Sequence, residues 1–371
     1  MDGTGDTLFL VQAVGSTKII VTTANTQIPA YFFILPKLAK VTYKVELINQ
    51  EFINTINADN FEHIALSVFR YQYNNNAFYR LFTDTLNISP HDVKEIEQIP
   101  FLPISFFKTH KIKTGTWDKP ALVFETSGTT GEIPGRHLVY DQSIYRESLL
   151  KGFEQFYGKP NQYAILALLP SYLERKNASL VHMAKVLMEE SKHPANGFYL
   201  DEWEKLANTL RELENKGQKV LLLGVTFALL DFAQAYPMSL SNTIVMETGG
   251  MKGRREEWTR AEVHNYLRQQ WHLQQVHSEY GMTELLSQAY ALQDGIFTPS
   301  STMRVLVRDI NDPLEVKKSG VGCLNIIDLA NIHSCSFIAT EDIGDIAPDG
   351  TFQVLGRMDH AVLRGCSLMV I

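Results

Sequence analysis

Three cysteines in 371 residues, Cys323, Cys335 and Cys366, are too few for a disulfide framework or a four-ligand zinc site, and they suit a reducing compartment. The eleven histidines are scattered, and none forms a His-x-x-x-His pair that would hold a metal on one helix face. No apolar run reaches the roughly 20 residues needed to cross a bilayer. The opening residues, Met1-Asp2-Gly3-Thr4-Gly5-Asp6, lack the basic stretch of a secretory signal. Positive charge is also short: 34 Lys and Arg against 41 Asp and Glu leave a net charge of −7. That balance excludes a nucleic acid or anionic membrane held by charge alone. There is no internal repeat and no low-complexity tract. The expectation is a soluble, cytoplasmic protein with one large or two medium domains and ample apolar content for a core.

Residues 1–44 differ from the rest. They are rich in Thr, Val, Ile and Phe, carry no acidic side chain after Asp6, and show no amphipathic helix, although Lys18 to Thr22 allows a short strand. They read as an N-terminal extension. From Val45 the pattern is that of an α/β enzyme. Glu46 to Ile56, Asn60 to Tyr71, Asp141 to Tyr157, Leu173 to Glu190 and Glu202 to Lys216 carry helical spacing, whereas Ala164 to Leu169 and Val220 to Leu223 read as buried strands. Strands alternating with helices predict a largely parallel, covered sheet over an α/β core at 45–302. Ile99 to Lys108 is expected to be extended because of Pro100 and Pro103. Short strands and Asp/Gly turns from Met303 onward predict a β-rich subdomain at 303–371.

The most informative run is Thr126-Ser127-Gly128-Thr129-Thr130-Gly131, which follows the apolar Ala121 to Phe124. Glycine lets backbone N–H groups converge on an anion, and hydroxyls add donors or a magnesium ligand, so the loop suits the phosphates of ATP. A Ser/Thr/Gly surface turn explains the run equally well, and no Walker Gly-Lys-Ser/Thr ending follows. Thr248-Gly249-Gly250-Met251 ends an apolar strand where backbone could approach a flat ligand, or simply turn tightly. Tyr280-Gly281-Met282-Thr283-Glu284 offers an aromatic face, a hydroxyl for a phosphate oxygen and a carboxylate for Mg²⁺, but also reads as a strand end before a capped helix. In Thr340-Glu341-Asp342 and Gly356-Arg357-Met358-Asp359, a carboxylate and a guanidinium could bind ribose or phosphate, or serve as turn residues in a β-meander.

In this order, the four motifs resemble those of the adenylate-forming superfamily of acyl-CoA synthetases, firefly luciferase and peptide-synthetase adenylation domains. Pro100, Pro103, Ser105, Phe107-Lys108, Asp342-Ile343-Gly344 and Arg364-Gly365-Cys366-Ser367-Leu368 narrow the resemblance to the LuxE-type acyl-protein synthetases, over roughly residues 46–371. The resemblance implies an α/β fold like the superfamily's large N-terminal domain, lacking the C-terminal lid domain with its catalytic lysine. It implies ATP and Mg²⁺, activation of a carboxylic, fatty-type acid as acyl-AMP, and transfer of the acyl group to a thiol, Cys366. A reductase, an acyl carrier protein or CoA would then be the acceptor. An acyl- or aryl-CoA ligase, a carrier-protein loader and a non-catalytic nucleotide-binding scaffold are the alternatives. By motif, residues 126–131 hold phosphates, Thr283 contacts the α-phosphate, Glu284 ligates Mg²⁺, Gly249, Gly250, Met251, Tyr280 and Gly281 surround adenine, and Asp342 and Arg357 take the ribose. Two departures stand out. Glu132-Ile133-Pro134-Gly135-Arg136 replaces the usual Pro-Lys-Gly, leaving Arg136 as the candidate cation, and Glu341 replaces the glycine of Thr-Gly-Asp.

Overall fold

Residues 50–126, 134–170, 177–249 and 258–358 are described by a computed structural model of the chain. Three helices open this part, α1 (Gln50–Thr55), α2 (Phe61–Asn75) and α3 (Ala77–Thr85), followed by the short strand β1 (Leu102–Pro103) and helix α4 (Phe106–Thr109). The hairpin β2 (Leu122–Glu125) and β3 (Arg136–Val139) comes next. The α/β stretch is α5 (Gln142–Tyr157), β4 (Ala164–Leu168), α6 (Ser179–Ser191), β5 (Gly197–Phe198), α7 (Trp203–Asn215), β6 (Val220–Val225), α8 (Thr226–Ala235), β7 (Thr243–Thr248), α9 (Arg260–Trp271) and β8 (His277–Tyr280). Strands then dominate: β9 (Ala289–Ala291), β10 (Phe297–Pro299), β11 (Met303–Arg308), β12 (Val316–Lys317), β13 (Gly320–Asp328), β14 (Phe337–Ile346) and β15 (Phe352–Arg357).

The expected alternation holds where the sequence is most apolar. All five residues of β4 and all six of β6 are buried. Such runs bury both faces of a strand, as a parallel sheet covered by helices requires, and each large aliphatic side chain contributes about 1.5–3 kcal/mol. Helix α5 begins one residue into its predicted range because Asp141 caps it, accepting the Ser143 N–H at 2.8 Å. It ends at Gly158, whose φ of +72° favours glycine. Its inner face, including Ile144, Tyr145, Ser148, Leu149 and Phe153, is buried.

One expectation needs correction. The 99–108 segment is extended only as far as β1, and α4 turns from Phe106. Pro100 and Pro103 restrict themselves and the residue before each, so the chain beyond Ser105 is free to coil.

Among the described residues the main sheet runs β12-β11-β13-β14-β15-β10-β9-β8-β7-β6-β4-β5, with β1 parallel to β14. Strands β4 to β8 pair in parallel, while β9 to β15 pair antiparallel. The parallel half therefore delivers the ends of β7 and β8, Thr248 and Tyr280, to one edge. Ligands of parallel α/β sheets gather at that edge.

Candidate active site

The hydroxyl-rich loop is closed at its base by its own ends. The Thr126 N–H donates to the Gly135 carbonyl at 3.0 Å, and the Gly135 N–H donates to Thr126 Oγ1 at 2.8 Å. Glu284 lies at this base: a Cβ added to Gly135 would sit 3.1 Å from Glu284 Oε1 and 3.4 Å from Thr126 Oγ1. Glycine at 135 thus leaves room for the Thr126 hydroxyl and the Glu284 carboxylate, both of which border it. Such hard oxygen donors suit Mg²⁺, which is commonly held by one carboxylate together with substrate phosphates. No group of three His, Cys, Asp or Glu fit to hold a metal alone occurs among the described residues. Burial raises the Glu284 carboxyl from 4.5 to about 7, while the positive charges of Arg357 and Lys108 pull it partly back.

The segment carrying Thr283 and Glu284 is held from behind by residues the sequence did not single out. Asp328, at the end of β13, accepts the N–H groups of Leu286 (2.7 Å), Ser287 (3.1 Å) and Ala330 (3.1 Å) and the Ser287 hydroxyl (2.6 Å). The Asn331 amide donates to the Glu284 carbonyl at 2.7 Å. His137 on β3 donates through Nδ1 to the Thr283 carbonyl at 2.9 Å. A carbonyl only accepts, so Nδ1 carries the proton. Burial lowers the His137 pKa to about 4, so the ring is neutral at physiological pH. The strand β3, which follows Gly135, is thereby tied to the Thr283-Glu284 turn. Replacing Asp328 with alanine leaves the buried N–H groups of Leu286, Ser287 and Ala330 without this acceptor and should cost about 2–4 kcal/mol, read as a lowered midpoint in urea unfolding.

Tyr280 and Asp342, 62 residues apart in sequence, meet directly: the Tyr280 hydroxyl donates to Asp342 Oδ2 at 2.8 Å. The Tyr280 ring is buried against the edges of Phe297 and Phe352, with centroids 5.8 and 5.4 Å away. Burial raises the Asp342 carboxyl, and the Tyr280 hydroxyl lowers it in part. Arg357 pairs with Asp342 across the β14–β15 ladder, but its guanidinium lies 3.0 Å from Glu341, the residue standing in place of the usual glycine. Arg136 points its guanidinium at Glu125 across the β2–β3 hairpin at 3.1 Å and is exposed. Gly249 follows β7 at φ +76°, and its carbonyl accepts the Thr226 hydroxyl at 2.9 Å.

Thr126 and Glu284 thus both border Gly135, with Thr283 next to Glu284 in the chain; Tyr280 and Asp342 form a hydrogen-bonded pair, and Gly249 ends the neighbouring strand β7. Ser127, Gly128, Thr129, Thr130, Gly131, Gly250, Met251 and Cys366 lie outside the described residues. Cys323 and Cys335 are buried.

The fold is shared with solved adenylate-forming enzymes. The 2-hydroxyisobutyryl-CoA ligase structure in the postadenylation state with 2-HIB-AMP matches with a TM-score of 0.60 at 13% identity, over 80% of this chain and 67% of that one. An ATP-bound RpMatB-BxBclM chimera matches with a TM-score of 0.50 at 16% identity, over 66% of this chain. This chain spans about half the length of that chimera (50%). The architecture is therefore that of the large N-terminal domain of adenylate-forming enzymes. Among proteins of known activity, the long-chain-fatty-acid–luciferin-component ligase of Aliivibrio fischeri is 23% identical over 340 residues, covering 83% of this chain and 86% of that protein. The family model for acyl-protein synthetase, LuxE, matches residues 55–371, and the chain belongs to that family.

Proposed function

We propose that the protein activates a carboxylic acid of the fatty class with ATP, forming acyl-AMP and pyrophosphate, and then passes the acyl group to a thiol, Cys366. The meeting of Thr126, Gly135 and Glu284 at the base of the hydroxyl-glycine loop carries this reading, because it puts a buried carboxylate where a triphosphate would be cradled. Membership of the acyl-protein synthetase family and the fatty-acid ligase of Aliivibrio fischeri support the acid class.

In the first step a carboxylate oxygen attacks the α-phosphorus in line and pyrophosphate leaves. Such chemistry depends on positioning and charge neutralisation. The loop at 126–131 would hold the β- and γ-phosphates, and Thr283 the α-phosphate. Asp342, oriented by the Tyr280 hydroxyl, would accept the ribose hydroxyls. Glu284 and Thr126 would hold Mg²⁺, which when bound supplies positive charge to the phosphates. In the second step a thiolate attacks the carbonyl of the mixed anhydride and AMP leaves. A reductase, a carrier protein or CoA would then take the acyl group.

Acid-dependent exchange of labelled pyrophosphate into ATP tests the first step, and its absence with every acid would favour a non-catalytic nucleotide-binding subunit instead. Tyr280→Phe should raise the KM for ATP about 3–10-fold with little change in kcat. The ring remains in place, and only the hydrogen bond aligning Asp342 is lost. A fall in kcat with KM unchanged would contradict that role.

A further inference from the structure

Beside the Tyr280-Gly281 turn lies a set of buried polar groups that the steps above leave unused. Glu279 precedes Tyr280 on β8, and neighbouring side chains of a strand point to opposite faces. Tyr280 faces Phe297 and Phe352, whereas Glu279 and His277 face α5, where the Tyr157 hydroxyl lies 3.2 Å from His277 Nδ1. Thr248, at the end of β7, donates its hydroxyl to Glu279 Oε2 at 2.5 Å. The other oxygen, Oε1, lies across Gly281: a Cβ at that position would stand 2.3 Å from it and 3.7 Å from Gln288 Cγ. Gly281 is therefore what allows the Glu279 carboxyl to border the turn leading to Thr283 and Glu284.

Two more polar groups share the place. Tyr290 on β9 stands directly opposite Glu279 in the antiparallel register. Gln288 Oε1 and Tyr290 Oη are buried and hydrogen-bond to none of the described residues. Burial, with Glu247 adding to it, lifts the Glu279 carboxyl to about 7. A buried acceptor left without a donor costs on the order of 1–3 kcal/mol, and a bare alkyl chain laid against these groups would leave that cost standing. A substrate donor would remove it. Glu279 stands four residues before Thr283 on the strand leading into the Thr283-Glu284 turn, so under the adenylation reading such a donor would lie toward the carboxyl end of the acid.

We infer that Glu279, together with Gln288 and Tyr290, selects an acid bearing a hydrogen-bond donor, a hydroxyl or an amino group, near its carboxyl end. This inference rests on the adenylation reading of the same site. It sets the substrate apart from a plain saturated fatty acid.

The test is acid-dependent pyrophosphate exchange by the full chain with chain-length-matched acids: the unsubstituted acid and its 2-hydroxy, 3-hydroxy and amino counterparts. The wild type should favour at least one substituted acid by about 10-fold or more in kcat/KM, and the arms distinguish hydroxyl from amine. Glu279→Leu should bring that ratio close to one or invert it. Glu279→Gln, which keeps an acceptor of the same shape, should retain an intermediate ratio. A wild type that uses the unsubstituted acid as well or better overturns the inference, as does a ratio unchanged in Glu279→Leu; water alone would then satisfy these groups. If Glu279→Leu does not fold, the wild-type ratio and the Gln variant decide. Absence of exchange with every acid is a separate result, which removes the adenylation reading and this inference with it.

Discussion

Glu284→Gln should lower acid-dependent pyrophosphate exchange by roughly 10²–10³-fold while making the folded protein more stable at alkaline pH. The loss follows because an amide neither neutralises the charge of a phosphate-bound cation nor binds one tightly. The stability gain follows from the proton count. Burial raises the Glu284 carboxyl from 4.5 to about 7, so between those values the folded state holds a proton that the unfolded state has released. The contribution of this group is fully present below about pH 4.5 and is lost as pH rises through about 7. A neutral amide removes the loss, giving at most about 3 kcal/mol at pH 8. Wild-type kcat/KM for ATP in the exchange should correspondingly fall as pH drops through about 7, as the carboxyl of the free protein becomes protonated. Chemical denaturation at pH 5 and pH 8, run beside exchange assays, measures both effects. A variant with undiminished exchange would remove Glu284 from the reaction, and one destabilised at pH 8 would show that its carboxyl is held by partners that favour the charge.

Cys366→Ser should reduce covalent acyl labelling of the denatured protein to a few per cent of wild type, while pyrophosphate exchange continues, because the first half-reaction does not use the thiol. The other two cysteines are poor nucleophiles. Burial pushes the Cys335 thiol up to about 12 and also raises Cys323, so neither offers much thiolate at neutral pH. Arg364 and His360 stand close to Cys366 in sequence, and a positive neighbour favours the thiolate. Labelled acid and ATP, followed by denaturation and hydroxylamine treatment, read the thioester directly. Label that survives in Cys366→Ser at wild-type levels would place the acyl group elsewhere.

The parts of the molecule legible in the sequence are those where one local signal suffices. β4 and β6 are uninterrupted apolar runs, and α5 has helical spacing and an Asp cap. One of the Asp/Gly turns expected after Met303 forms at Pro348-Asp349-Gly350, with Gly350 at φ +85°. The residues bringing Tyr280 and Asp342 together were visible as motifs, although their mutual hydrogen bond required the sheet order to be known. Asp328 was not visible, because beside Leu329-Ala330-Asn331 it reads as an ordinary cap of a short turn; it is one, and its other partners come from a segment 41 residues earlier. His137 looked like one scattered histidine among eleven, since its partner Thr283 lies 146 residues away. Glu279 carries no local mark of its burial. Its burial comes from α5 and β9, which no local pattern announces. In each case the missing information was topology rather than chemistry.

The most direct measurement follows an oxygen atom. When the acid is supplied with both carboxyl oxygens isotopically heavy, attack on the α-phosphorus followed by thiol attack on the carbonyl must leave one heavy oxygen in AMP. Mass spectrometry of the nucleotide product should therefore find AMP carrying a single heavy oxygen, formed only when acid is present. Unlabelled AMP, or ADP with the label in inorganic phosphate, would contradict acyl-adenylate formation.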